Sequence, residues 1–196
     1  QKYFIDTVRG FSKALESKDR YMKDHSERVA NYALAIAERL GCQDEDMEKI
    51  RVVCLLHDLG KLTISDSILN KPAALTDEEW VVMKKHPAAA VDILEPIEEL
   101  NKLLIYIKYH HEHFNGNGYP SGIKSQQIPL ISRIISVADS YDAMTSERPY
   151  RKKMPQQDAI QELYKNRGKQ FDPEVVDIFL KTLGISFSCI LQLLLI

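Results

Sequence analysis

Apolar positions recur along this chain at intervals of three and four, the spacing that buries one face of an α-helix. Phe4, Ile5, Val8, Phe11 and Leu15 form the first stripe. Asp24 and Glu27 read as a capping box ahead of a second helix, with Val29, Ala33, Ile36 and Leu40 as its inner face and Gly41 as its stop. Met47 to Leu59 predicts a third helix. Its end is clothed on every side by Val52, Val53, Cys54, Leu55, Leu56 and Leu59, the mark of a central, buried element. Helices are expected over Asp77–Lys85, Pro87–Leu94 and Glu98–His111, with Pro87 suited to a first turn and Pro96 to a break. Ile131–Met144, Pro155–Tyr164 and Pro173–Leu183 complete the set. No stretch alternates with period two, so the expected fold is all-α, a compact multi-helix bundle. One long segment, Glu112 to Pro129, carries Gly116, Gly118, Pro120, Gly122 and Pro129 and no periodic core. A loop of that length inside a compact domain is usually functional.

Composition narrows the class. The 196 residues are 44% hydrophobic and 28% charged, which suits one ordinary globular domain with a real core. A net charge of -2 gives no basic face for nucleic acid. Cys42, Cys54 and Cys189 match neither zinc nor disulfide spacing and read as free thiols in a reducing cytoplasm. The apolar stretch Ile185–Ile196 is too short to span a bilayer and is expected to pack on the core or a partner. The start at Gln1, together with the first apolar stripe, suggests a piece cut from behind an upstream sensory or receiver domain.

Ionisable residues interrupt the apolar faces. At 100° per residue, His25 shares the face of Val29, Ala33 and Ile36. His57 and Asp58 end the most buried helix. His111 continues the face of Leu100, Leu104 and Ile107, with His110 flanking it. Asp142 falls inside the face of Ile131, Ile135 and Ala138, and Asp139 at its edge. Buried carboxylates are costly unless paired or metal-bound. A single buried histidine is more often a hydrogen-bonded core residue than a ligand, and His25 or His86 alone would be read that way. Five of the six histidines fit one cluster, however, and His113 is left as a loop residue without a metal. Imidazole plus carboxylate without thiolate suits Fe, Mn or Zn.

The run His57-Asp58-x-Gly60-Lys61 resembles the signature of the HD superfamily of metal-dependent phosphohydrolases. The runs from His110-His111-Glu112 to Gly118-Tyr119-Pro120, from Asp139 to Arg151, and Gln170-Phe171-Asp172-Pro173 resemble its HD-GYP subfamily. The resemblance covers about residues 19–183. It implies an HD-type all-α domain over 1–184, with 1–18 a linker-like helix and 185–196 an apolar tail. It also implies hydrolysis of cyclic di-GMP to linear pGpG or GMP.

By the same resemblance, one metal is held by His25, His57, Asp58 and Asp139. A second is held by Asp58, His86, His110 and His111, with Asp58 bridging. Some members place a Glu where this chain has Tyr21 and bind a third metal, so two divalent ions are expected here, Fe or Mn before Zn. Asn115 stands where many members have Asp, outside the ligand set. Two ions about 3.5–4 Å apart would share a bridging hydroxide as nucleophile. Asp58 would fix their separation, and Lys61 would neutralise the phosphate oxygens. Tyr119, Asp19, Arg148 and Arg151 match substrate-contacting positions; for the two arginines the plainer alternative is a solvated helix end. The alternatives in function are an HD reaction on another cyclic dinucleotide or nucleotide, and a catalytically silent module docking a diguanylate cyclase domain through the Gly-Tyr-Pro loop. Cytoplasmic second-messenger signalling, without nucleic acid or membrane insertion, is the implied setting.

Overall fold

The computed structural model describes residues 2–19, 23–147 and 153–185. Among these the α-helices are α1 (Lys2–Lys18), α2 (His25–Arg39), α3 (Asp44–Leu56), α4 (Asp66–Leu69), α5 (Asp77–Met83), α6 (His86–Leu94), α7 (Leu104–Lys108), α8 (Leu130–Thr145), α9 (Gln156–Lys165) and α10 (Pro173–Thr182). Turns of 3-10 helix occupy Leu59–Thr63, Glu98–Leu103 and Ser125–Gln127. The only pairing of β type among the described residues is an isolated bridge between Arg167 and Phe171, so the all-α expectation holds. Helix α2 lies at the centre, packed on α3, α8 and α10. Its small inner residues Ala30, Ala33 and Ala37 are fully buried, and they let neighbouring helices approach closely. An edge-to-face trio of Tyr32, Tyr141 and Phe179 ties α2, α8 and α10 together, with ring centroids 4.9–5.8 Å apart. No described helix is long and apolar enough to cross a membrane.

Several boundaries differ from expectation for identifiable reasons. The expected capping box before α2 is absent. Asp24 adopts a left-handed conformation (φ 55°) and its side chain caps nothing, while Glu27 accepts from Arg9 at 2.9 Å. A true capping box starts α5 instead, between Thr76 and Glu79. Helix α3 begins at Asp44, where three acidic residues favour a helix N-terminus, and ends at Leu56, before His57. The segment expected as one helix over Glu98–His111 is a 3-10 turn followed by the short α7, which ends at Lys108. A 3-10 turn winds three residues per turn, so the register shifts relative to α-helical spacing. His110 is therefore the buried member of its pair and His111 is half-buried, the reverse of the expected order. In α1, Phe11 is exposed, and Ser12 joins Val8 and Leu15 on the inner face. The short α4 lies where the spacing predicts no helix. Tyr21, Arg148, Arg151, Cys189 and all of the apolar tail beyond Ile185 lie outside the described residues.

Candidate metal centre

The site forms where helix ends converge. His25 opens α2, His57 and Asp58 follow α3, His86 opens α6, His110 and His111 follow α7, and Asp139 projects from the middle of α8. Three of the histidines share one device. The Nδ1 of His57, His86 and His110 lies 2.7, 2.8 and 2.6 Å from the carbonyl oxygens of Cys54, Met83 and Ile107, each three residues earlier. A carbonyl can only accept, so each Nδ1 carries the proton and each Nε2 presents a lone pair. His25 differs: its Nδ1 donates to Asp142 Oδ2 at 2.7 Å. Asp142 is in turn held by Arg28 through Nε at 2.6 Å and Nη2 at 3.0 Å.

The Nε2 atoms of His25, His57, His86 and His110 are all buried and have no hydrogen-bond partner. Buried polar atoms are rarely left so, and four of them around a carboxylate ask for a cation. Asp58 stands at the centre. Its Oδ2 lies 3.4 Å from His57 Nε2 and 3.7 Å from His25 Nε2, and its Oδ1 lies 3.3 Å from His86 Nε2. Two groups of donor atoms are each compact enough for a metal ion, His25–His57–Asp58 and Asp58–His86–His110–His111, and Asp58 belongs to both. Asp139 Oδ1 lies beside the first group, 3.3 Å from His25 Nε2. The donors present therefore fit two divalent ions sharing one carboxylate. Nitrogen and oxygen donors without sulfur suit Fe, Mn or Zn.

The electrostatics agree with this. Burial would raise the Asp58 carboxyl, but the Lys61 ammonium, with His57 and His86, holds it well below the usual range. Lys61 Nζ is 2.6 Å from Asp58 Oδ2. Burial would also raise Asp139, and His25 holds it down. Burial lowers His57, lowers His110 to about 3 and holds His111 well below its ordinary value, with neighbouring imidazoles adding to the effect in each case. These three are neutral at pH 7, as ligands must be. For His25, burial alone would lower the ring, but Asp139 and Asp142 overcome it and push it up to about 9.

Two glycines set the geometry. A Cβ on Gly60 would sit 1.9 Å from the His86 carbonyl oxygen, so only glycine lets the turn after Asp58 lie against the first turn of α6. A Cβ on Gly118 would meet the His113 nitrogen at 2.1 Å, so the Gly-Tyr-Pro loop folds flat onto the chain just past the histidine pair. The buried Glu112 fastens that loop: its Oε1 accepts from Ser121 N at 2.6 Å and Gly122 N at 3.1 Å. Tyr119 N donates to His111 O at 3.2 Å, and the Tyr119 ring stacks 4.9 Å from the His111 ring. The Gln170–Pro173 motif has a structural task here. Gln170 O and Lys169 O accept from Phe114 N and Asn115 N at 3.0 and 2.8 Å, while Asp172 caps α10 and pairs with Arg133.

The structure thus brings together His25, His57, Asp58, His86, His110, His111, Asp139 and Lys61, with Tyr119 beside them. His113 stays outside both donor groups, and Asn115 accepts from Asn117 N in a turn. Asp19 is buried at the end of α1, which packs on the Leu59–Thr63 turn. Sequence reasoning missed the Arg28–Asp142 support of His25 and the clasp made by Glu112. The misplaced burial of Asp142 on an apolar face was the available signal for the first. A cavity of about 560 Å³ borders Asp142, lined also by Arg28, Tyr32, Tyr141, Ser146 and Lys153. None of the seven clustered histidines and aspartates lines it, so the chemistry belongs to the donor cluster rather than to this hollow.

A family model for the HD domain matches residues 9–175. The cyclic di-GMP phosphodiesterase response regulator RpfG of Xanthomonas campestris pv. campestris is 37% identical, over 90% of this chain and 47% of that protein. The 3'3'-cGAMP-specific phosphodiesterase 3 of Vibrio cholerae is 39% identical, over 93% of this chain and 40% of that protein. The chain thus spans less than half the length of these curated relatives. Among solved structures, Bd1817, an HDG"Y"P protein from Bdellovibrio bacteriovorus, superposes with TM-score 0.70 at 18% identity, over 93% of this chain and 63% of that one, a likeness of fold. The matched span, the shared fold and the relatives it resembles make this chain a member of the HD domain family.

Proposed function

We propose that this domain is a metal-dependent phosphodiesterase that hydrolyses cyclic di-GMP to pGpG or GMP. The observation that carries the reading is Asp58 shared between two donor groups in which His25, His57, His86 and His110 present buried, unpartnered Nε2 atoms. His25, His57, Asp58 and Asp139 would hold one divalent ion, and Asp58, His86, His110 and His111 the other. Such ions, iron or manganese before zinc, supply Lewis acidity and lower the pKa of water when bound.

The chain's own residues do the rest. Asp58 fixes the spacing of the two donor groups. Lys61, now paired with Asp58, offers its ammonium to the phosphate oxygens as charge builds on them. The Nδ1 anchors keep His25, His57, His86 and His110 each in one tautomer and orientation, so these rings need no reorganisation at the moment of reaction. Tyr119 lines the substrate side, with Asp19, Arg148 and Arg151 as further contacts. The Gly-Tyr-Pro loop would also serve to dock a diguanylate cyclase domain, and an upstream sensory or receiver domain would regulate the enzyme. The free thiols Cys42 and Cys54 suit a cytoplasmic setting.

A second reading keeps the chemistry and changes the base. One relative of nearly equal identity is named for 3'3'-cGAMP, and the metals read phosphate rather than purine. Purified, metal-loaded protein assayed on cyclic di-GMP, 3'3'-cGAMP and cyclic di-AMP separates the two. The reading predicts the fastest turnover on cyclic di-GMP and none by the His57→Ala/Asp58→Ala double variant. Hydrolysis retained by that variant would sink it.

A further inference from the structure

The metal cluster accounts for one phosphate, yet a cyclic dinucleotide has two, and the second keeps its charge through the reaction. Lys84 is placed to meet it. Lys84 caps the C-terminus of α5 and is exposed, and its Nζ stands 5.9 Å from the centroid of the Tyr119 ring. The same ring lies 4.9 Å from His111 and 6.5 Å from His86, two donors of the second group. One aromatic ring thus separates the ammonium from the metal cluster. The loop ring itself is fixed by Glu112, Gly118 and the Tyr119 N–H bond to His111 O. Lys61 and Lys71 each have a carboxylate within 2.6 Å, whereas no carboxylate among the described residues pairs with Lys84. A cation held near an aromatic face, with no carboxylate partner among the described residues, can pair with a phosphate.

We propose that Lys84 is a specificity-determining residue that binds the second, uncleaved phosphodiester of the cyclic dinucleotide. The inference rests on the cyclic-dinucleotide reading above. It makes the Tyr119 ring a spacer between the phosphate being cut and the phosphate being held. Diesters with one phosphorus would then gain nothing from Lys84.

The test compares Lys84→Glu and Lys84→Arg with Lys85→Glu, a neighbouring exposed lysine with the same charge change. Two substrates are used: cyclic di-GMP and bis(p-nitrophenyl) phosphate, which has one phosphorus. Losing a charge-assisted contact predicts that Lys84→Glu raises KM for cyclic di-GMP about tenfold or more. Its kcat should stay within about twofold, and its kinetics on the single diester should match wild type. Lys84→Arg should restore the KM, and Lys85→Glu should leave it unchanged. Binding of a phosphorothioate analogue of cyclic di-GMP, followed by calorimetry, should weaken in Lys84→Glu by the same factor. The proposal is overturned if Lys84→Glu matches wild type on cyclic di-GMP, if both substrates suffer equally, or if Lys85→Glu has the same effect. Should wild-type protein cleave the single diester but no cyclic dinucleotide, the substrate reading falls and takes this inference with it. Should wild type cleave cyclic di-GMP and Lys84→Glu do so equally well, only the inference falls.

Discussion

His25 is the residue whose chemistry depends most on its neighbours. Its Nδ1 is committed to Asp142, and Asp142 to Arg28, so the Nε2 can face the donor group only while that chain of contacts is intact. Carboxylate partners of this kind typically change metal affinity about 10- to 100-fold when removed. Asp142→Ala should therefore weaken the His25–His57–Asp58 ion by that factor in a chelator competition, with the second ion held as before. Equal loss of both ions would contradict the assignment. The pH dependence of the metal-free protein follows from the same residues. His25 titrates at about 9 in the fold against 6.5 free, so its contribution is complete below pH 6.5 and fades as pH rises through 9. His110 titrates at about 3, and His57 and His111 are lowered too, so the unfolded chain binds more protons as pH falls below 6.5 and stability drops there as well. Chelated protein should melt highest near pH 6.5 and lower on both sides. With ions bound the alkaline limb should vanish, because a ligating Nε2 carries no proton. A melting temperature of chelated protein that climbs steadily to pH 9 would contradict this.

At the scale of elements, the site is a meeting of helix ends, and its precision depends on close approach. Gly60→Ala would drive a methyl into the backbone of α6, a collision no rotamer relieves. It should cost at least about 1–3 kcal/mol, read by denaturant melts, and loosen His86 from Asp58. Glu112→Ala would remove both bonds to the Ser121 and Gly122 amides, at about 0.5–1.5 kcal/mol each, because these exposed residues can turn to water instead. Hydrogen exchange should then quicken in the Gly-Tyr-Pro loop while α2 and α8 stay protected. Protection unchanged in the loop would show that Glu112 is not its clasp. The helices themselves were largely legible, because α2, α8 and α10 bury continuous stripes that 100° spacing captures. The failures fell where tertiary contacts override local rules. Glu27 left its capping role for Arg9, and α7 was cut short by a 3-10 turn that no periodicity signals.

At the scale of the whole molecule, the bundle brings His25 and Asp139 to within 3.3 Å of each other, and sequence spacing alone could not join them. Buried-face counting found His57, Asp58, His111 and Asp142 as anomalies, yet it could not say that Asp142 supports a ligand while Asp139 lies beside the donors. That distinction needs the rotation of α8 against α2, which only packing sets. Because the donors come from four helix ends and the middle of α8, metal binding should also stabilise the global fold. Each ion bound by the folded state alone, at 100 times its Kd, would add about 2.7 kcal/mol. The central claim, two ions sharing Asp58, is tested most directly by counting metal equivalents in purified wild type, Asp58→Ala, His25→Ala and His111→Ala. The account predicts two ions in wild type, none in Asp58→Ala, and one in each histidine variant. Two ions retained in Asp58→Ala, or one or three in wild type, would contradict it.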